Sequence, residues 1–390
     1  MKIIIVFNNY MPETGGYQSA SQMYSILNGL FGKENVSKIF LTMPKKNFRR
    51  VRSFLRLMKE EKAYNAEGLI ELSSNRSKFN SFHKLFGIFN YFKILRVKKL
   101  LAQADFIVIT GFSDTSTITS IQNQAKHAKF FFNHAGDSTS YNSLITSDGK
   151  SLGWDGYLKY MAEFSKILFQ SELQLNFAKE IGLASKICFR LIPSCDEQSI
   201  SDQIQESTNP FEVGYINIVT VGTLQERKNQ ELVIELASLM INLPYRFYLI
   251  GDDGVSLTYT QKLKKMIRER NLTNVFILGH RTDYIVFVNY CDIVLNVSKF
   301  EGVSRVLRES LFLGKILVCT RILGNMECVV DGANGFLCEF KVRELIEKIG
   351  IIRNLRADKK LELELRSKLI YKNKYSLDLY RHNLRILFSE

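Results

Sequence analysis

Two short segments carry residues that could do chemistry. The first is Phe300-Glu301-Gly302-Val303-Ser304-Arg305-Val306-Leu307-Arg308-Glu309. Glu301 ends a loop that follows an apolar run, and Gly302 permits close backbone approach. A helix is expected to begin within a residue or two, and its free N–H groups and positive dipole end make an anion site. Glu309 then lies five residues into that helix, roughly 8 Å from its start at about 1.5 Å per residue. Two carboxylates would flank a bound phosphate and accept hydrogen bonds from hydroxyls on either side. The second segment is Val221-Gly222-Thr223-Leu224-Gln225-Glu226-Arg227-Lys228-Asn229. It reads as a strand end, a glycine turn, and a lysine placed just before a helix, where its ammonium can reach a phosphate as a point charge. Taken singly, the two glutamates read as readily as solvated side chains, and the lysine reads better as a surface residue.

The elements that would position these residues form two series of short apolar strands alternating with helical patterns. The first has strands at Ile3–Phe7, Val36–Leu41, Phe106–Ile109, Lys129–Phe132, Ile167–Phe169 and Ile187–Leu191, with a Gly15-Gly16 loop before a helix near Gln18–Leu30. The second has strands at Ile216–Val221, Arg246–Ile250, Val275–Leu278, Ile293–Val297 and Ile316–Cys319. Strands that are apolar throughout and separated by helices imply parallel sheets covered on both faces. A polar stretch, Asp196–Asn209 closed by Pro210, reads as the linker between two domains. The expected fold is therefore α/β, with two doubly wound Rossmann-like domains facing each other across a cleft. Ligands in such sheets sit at the carboxyl ends of the strands.

Composition narrows the class. The chain has 390 residues, 46% apolar and 24% charged, which fits about two soluble domains. No apolar run approaches the roughly 18 residues of a membrane span. The opening run Ile3–Phe7 is too short for a signal-peptide core, so a cytoplasmic location is expected. The six cysteines include no C-x-x-C pair, which leaves no sign of zinc or a dithiol. G-x-G-x-x-G, the P-loop, G-x-S-x-G, H-E-x-x-H and D-x-D are all absent, which weighs against dehydrogenase, NTPase, hydrolase and metalloprotease chemistry and against a D-x-D metal bridge.

The charge is uneven. The net charge is +14, and Lys45–Lys99 holds fifteen Lys and Arg against four Glu. Within it, Phe79, Phe82, Phe86, Phe89 and Phe92 recur at helical spacing, as do Phe48, Val51, Leu55 and Met58. A basic helix with an apolar stripe can lie in an anionic membrane interface, or the stripe can pack on the core beneath a solvated basic face. The chain carries no recognised nucleic-acid motif, so nucleic acid is not expected as a partner.

Taken in order, the motifs of the second half resemble the retaining GT-B glycosyltransferases of family 4. The resemblance covers G-x-L-x-x-x-K-N at Gly222–Asn229, Leu249–Asp252, Cys291–Leu295, E-x7-E at Glu301 and Glu309, Gly314, Gly324, Glu327 and Asp331–Phe336. The first half matches weakly, through Pro12, Gly15-Gly16, His134, Ser171 and Ile192-Pro193. The resemblance implies an acceptor-side domain over residues 1–195, a linker over 196–211, and a nucleotide-sugar domain over 212–373. It also implies a last helix, 374–390, packed back on the first domain.

Roles follow from the same resemblance. Lys228 would hold the donor diphosphate. Glu301 would contact the transferred sugar, the backbone at Val303–Ser304 the sugar and phosphates, and Glu309 the ribose. Gly15, Gly16 and Gly222 would allow close approach, and His134 would line the sugar and acceptor side. Thr223 stands where the family often has arginine, so Arg227 or Arg305 would have to supply the second cation. No metal or other cofactor is implied. The expected partners are a UDP-sugar donor, a lipid-linked glycan acceptor (the alternative being a soluble acceptor or a protein side chain), and an anionic membrane surface. A non-catalytic partner subunit with a degraded donor site is the rival reading, and Thr223 is the feature in its favour.

Overall fold

The computed structural model describes residues 1–7, 15–41, 63–65, 95–110, 115–134, 153–253 and 257–389. They form two units, Met1–Pro193 with Arg381–Glu390, and Ser194–Tyr380.

The first unit is built on seven strands: β1 (Ile3–Phe7), β2 (Val36–Phe40), β3 (Ala63–Asn65), β4 (Phe106–Thr110), β5 (Lys129–His134), β6 (Lys166–Phe169) and β7 (Cys188–Arg190). Every pairing is parallel, in the order β3-β2-β1-β4-β5-β6-β7. Side chains alternate across a strand, so one face presents Ile4, Val6, Ile107, Ile109, Phe130 and Phe132 to a single apolar cluster. The other face carries Phe106 and Phe131, and Phe388 of the last helix closes over them at ring distances of 5.2 and 5.5 Å. That aromatic contact explains why the chain's final residues belong to this unit.

β3 was not legible as a strand. It falls inside the basic insert, which the sequence reads as helical, and pairs with β2 at the edge of the sheet. Both apolar stripes of the insert, Phe48–Met58 and Phe79–Phe92, lie outside the described residues.

The second unit holds β8 (Ile216–Val221), β9 (Tyr245–Ile250), β10 (Val275–Gly279), β11 (Ile293–Asn296), β12 (Ile316–Thr320) and β13 (Gly335–Cys338). They too are all parallel, in the order β10-β9-β8-β11-β12-β13. Ile218, Phe247, Leu249, Ile293, Leu295 and Val318 form its main core with the helices Gln230–Leu239 and Val342–Asn354. Both sheets reverse their winding direction once, between β1 and β4 and between β8 and β11. These are the switch points where loops part and a ligand can enter.

The linker expectation needs correction. Glu197–Gln205 is a helix of the second unit, capped by the Asp196 side chain, which accepts from the Ser199 N–H. Its single buried apolar residue is Ile200. The segment that follows is anchored by the Tyr290 hydroxyl donating to the Ser207 carbonyl and by Phe211 packing on Tyr248 and Phe287. A helix with one buried contact leaves too faint a periodic signal to outweigh its polar composition. Gly15 and Gly16 are likewise not loop residues: they open the helix Gly15–Phe31.

Candidate active site

The switch point of the second sheet brings together segments that are far apart in sequence. β8 and β11 are neighbours, so the loops leaving their carboxyl ends emerge side by side. They are tied by a backbone hydrogen bond from Lys299 N–H to the Arg227 carbonyl, 2.8 Å.

The β8 loop makes a short 3-10 turn, Glu226–Lys228, and ends at Asn229, which takes a left-handed φ of 57°. Asparagine tolerates that region better than most residues. Its conformation starts the helix Gln230–Leu239 and leaves Lys228 folded back over Gly222. A β-carbon on Gly222 would sit 3.2 Å from the Lys228 Cε, so glycine keeps the space the lysine stem occupies. A β-carbon on Gly251 would lie 2.0 Å from the Gly222 carbonyl oxygen. The two glycines therefore let the ends of β8 and β9 approach closely.

The β11 loop presents Glu301. Its side chain is 9% exposed and carries three partners: the Lys228 ammonium, Arg227 Nη1 at 3.1 Å, and the Ser298 hydroxyl donating at 2.9 Å. Ser298 is held in turn, because its N–H donates to Asn296 Oδ1 and its carbonyl accepts from the Thr320 hydroxyl. Gly324 supports the loop from behind, where any β-carbon would lie 1.9 Å from the Gly302 carbonyl oxygen.

Burial alone would push the Glu301 carboxyl up, but Lys228, Arg227 and the Ser298 hydroxyl outweigh it and hold it below the usual carboxylate range. Glu301 is therefore ionised at neutral pH. Burial pulls the Lys228 ammonium below the usual lysine range, with Glu301 opposing and the Arg227 charge adding to the effect.

Three residues after Glu301 the chain enters the helix Arg305–Phe312. Ser304 is its N-cap but makes no side-chain capping bond. Val303 and Ser304 are buried. The first-turn N–H groups thus keep the polarity that favours an anion. Glu309 is buried, and the Tyr284 hydroxyl lies 2.9 and 2.8 Å from its two oxygens, donating its proton between them. Arg305 Nε donates to Glu309 Oε1 at 2.7 Å, and its Nη2 donates to the Tyr284 oxygen at 2.6 Å. Burial raises the Tyr284 phenol far above its usual value, so it stays a donor.

Of the sequence-derived residues, Gly222, Lys228, Glu301, Val303, Ser304, Arg305 and Glu309 all belong to the β8 and β11 loops and the helix after them. Lys228 and Glu301 are in direct contact. Arg305 is engaged with Glu309 and Tyr284, and Arg227 is the second cation beside Lys228. Gly15, Gly16 and His134 are in the first unit. The glycines open the helix after β1 and His134 ends β5, both at the carboxyl edge of that sheet. Ser298 and Tyr284 were missed. Ser298 stands three residues before Glu301 and could have been weighed; Tyr284 is 25 residues from Glu309, and no spacing marks it. Among the described residues, no group of three His, Cys, Asp or Glu is placed to hold a metal ion.

Two doubly wound parallel sheets are the α/β architecture of the GT-B fold. Solved structures support this across the chain. Anabaena Alr3699/HepE in complex with UDP-glucose superposes with a TM-score of 0.75 at 16% identity, covering 100% of both chains. TarM from S. aureus gives 0.71 at 13%, again over 100% of both. At these identities the likeness establishes the fold.

Residues 201–374 match the model of glycosyl transferases group 1. Curated relatives match in part. An uncharacterized glycosyltransferase of Methanocaldococcus jannaschii is 27% identical over 30% of this chain and 32% of its own length. The N-acetyl-alpha-D-glucosaminyl L-malate synthase of Bacillus anthracis is 27% identical over 29% of each. The N-acetylgalactosamine-N,N'-diacetylbacillosaminyl-diphospho-undecaprenol 4-alpha-N-acetylgalactosaminyltransferase of Campylobacter jejuni is 26% identical over 42% of this chain and 43% of its own. This chain thus covers about a third of the first two relatives.

Proposed function

We propose that this chain is a metal-independent, retaining glycosyltransferase. It moves a hexose or N-acetylhexosamine from a UDP-sugar to a sugar hydroxyl of a lipid-linked acceptor, in bacterial surface-polysaccharide assembly. The observation that carries this reading is the buried Glu301 carboxylate held by Lys228 and Arg227 three residues before a helix start. A diphosphate entering at the switch point would take over the two cations and the free N–H groups of that helix. Glu301, released, would accept hydrogen bonds from the sugar hydroxyls. Glu309 would exchange part of its Tyr284 and Arg305 contacts for the ribose hydroxyls.

In the transfer step the bond from the sugar's anomeric carbon to the phosphate oxygen breaks. The acceptor oxygen bonds to that carbon on the same face, and its proton passes to the leaving phosphate. Negative charge grows on the departing diphosphate, and Lys228 and Arg227 stand where it grows. Their joint presence is why a metal is not required, and it answers Thr223. Gly15, Gly16 and His134 would serve the phosphate and acceptor from the first unit.

A UDP donor is supported by the HepE complex, and a lipid diphosphate acceptor by the activity of the Campylobacter relative. No helix among the described residues is long and apolar enough to cross a membrane. The excess of basic residues in Lys45–Lys99 favours peripheral attachment to the inner face of an anionic membrane.

Calorimetry with UDP, with and without EDTA, tests the site. Binding should survive EDTA and weaken about 10- to 100-fold in Lys228→Ala, the scale of one charge-assisted contact. Binding that requires magnesium, or is unchanged in Lys228→Ala, would refute the assignment.

A further inference from the structure

The helix Ala357–Lys374 is apolar on two faces. Leu363, Ile370 and Tyr371 are buried, with Ser367, against the second unit. On the opposite face Leu361, Leu365 and Leu369 recur every fourth residue and are 53%, 56% and 43% exposed. At about 100° per residue the three span an arc of about 80°. Beside them lies a groove of about 600 Å³ lined by Phe336, Leu365 and Leu369 as well as by Lys359, Glu362 and Arg366. Three exposed leucines in register beside a groove edged by charges mark a contact surface.

The charges around the leucines identify what fits. Consider a second copy of the helix laid antiparallel, with a twofold axis through Leu365. Positions equally far before and after Leu365 then come level. Leu361 meets the second copy's Leu369, and Asp358 comes level with its Lys372. On the flanks, Glu362 comes within reach of the second copy's Arg366, and Lys368 of its Glu364. Every charge near the seam meets its opposite. A parallel pairing sets like charges level, and toward an anionic lipid surface Asp358, Glu362 and Glu364 offset the attraction of Arg366, Lys368 and Lys372 on or beside the same face. The existing Arg356–Asp358 and Lys359–Glu362 pairs are exposed on both sides, so exchanging them costs little.

We propose that the outer face of Ala357–Lys374 is a self-docking surface through which two copies of this chain pair antiparallel about Leu365. The contact is isologous, as a closed twofold dimer requires. It uses no residue of the donor site and stands independently of the proposed activity.

Sedimentation equilibrium of the full chain should give twice the 45.0 kDa mass. Leu365→Glu, which sets two buried carboxylates face to face, should raise the dimer dissociation constant at least tenfold with an unchanged circular dichroism spectrum. Lys368→Glu should weaken the dimer, and adding Glu364→Lys should restore it. In a Cys188→Ser background, mild oxidation should link Leu365→Cys to itself. Leu361→Cys should not link to itself, because its copies would lie about 12 Å apart along the axis, beyond disulfide reach; mixed with Leu369→Cys it should link. A monomer at every concentration would overturn the proposal, as would self-linking of Leu361→Cys. So would pelleting of monomer with phosphatidylglycerol vesicles that Leu365→Glu abolishes.

Discussion

Glu301→Gln separates two roles that a simple loss of activity would merge. In the free protein the Glu301 carboxylate pairs with both Lys228 and Arg227, so under the proposed function an incoming diphosphate would have to displace it. Glutamine keeps the shape and gives up the charge. A charge-assisted contact is worth about 1.5–3 kcal/mol. Arg227 is 36% exposed, so its contact is largely screened and is left out of the reckoning. Lys228 is only 14% exposed, and the competition it feels is the part released. UDP should therefore bind Glu301→Gln about 10- to 100-fold more tightly than it binds the wild type. Sugar transfer should move the other way, by about 100-fold, the scale of losing one electrostatic contact at the reacting group. Calorimetry with UDP and turnover with a labelled UDP-sugar read the two effects separately. Weaker UDP binding in Glu301→Gln, comparable to that in Lys228→Ala, would refute the idea that the carboxylate holds the cations in place of phosphate.

Three further outcomes follow from the same geometry. Gly324→Ala forces its new carbon against the Gly302 carbonyl oxygen; it should cost about 1–3 kcal/mol in a denaturant titration and reduce transfer more than UDP affinity. Tyr284→Phe strips the buried Glu309 of its hydroxyl donor, and should lower stability by about 1–3 kcal/mol, with a Tm drop of about 2–4 °C for each kcal/mol. Glu301 is held below its ordinary value of 4.5, so its ionised form adds stability above that pH, and the addition fades as pH falls through the depressed value. Wild type should lose Tm between neutral and acid pH more steeply than Glu301→Gln; parallel curves would contradict this.

The sequence made the strands of the second sheet legible because they are long, apolar runs flanked by turns; Ile216–Val221 was read to the residue. β13 was passed over, since Gly335–Cys338 is four residues long and opens on a glycine beneath the Leu317 backbone. β3 was hidden in a basic context and has a neighbour only on one side. The helix Glu197–Gln205 was hidden by its polarity. At the site, each residue type was visible along the chain, but the contact was not. Lys228 and Glu301 are 73 residues apart, and only the adjacency of β8 and β11 joins them. Arg305 was named, with Arg227, as a stand-in for the family arginine that Thr223 replaces. Its carboxylate neighbour one turn on, Glu309, claims it instead.

The bond from Lys299 N–H to the Arg227 carbonyl bears on how this protein could be re-engineered. Under the proposed function, a chimera meant to change sugar preference would naturally exchange the stretch around Glu301 alone. Here that stretch is stitched to the one carrying both cations, and it rests on Gly324 as well. Grafts that carry residues 223–229 and 298–304 together, on a scaffold that keeps a glycine at 324, should yield working hybrids. Single-loop grafts should yield folded but inactive ones.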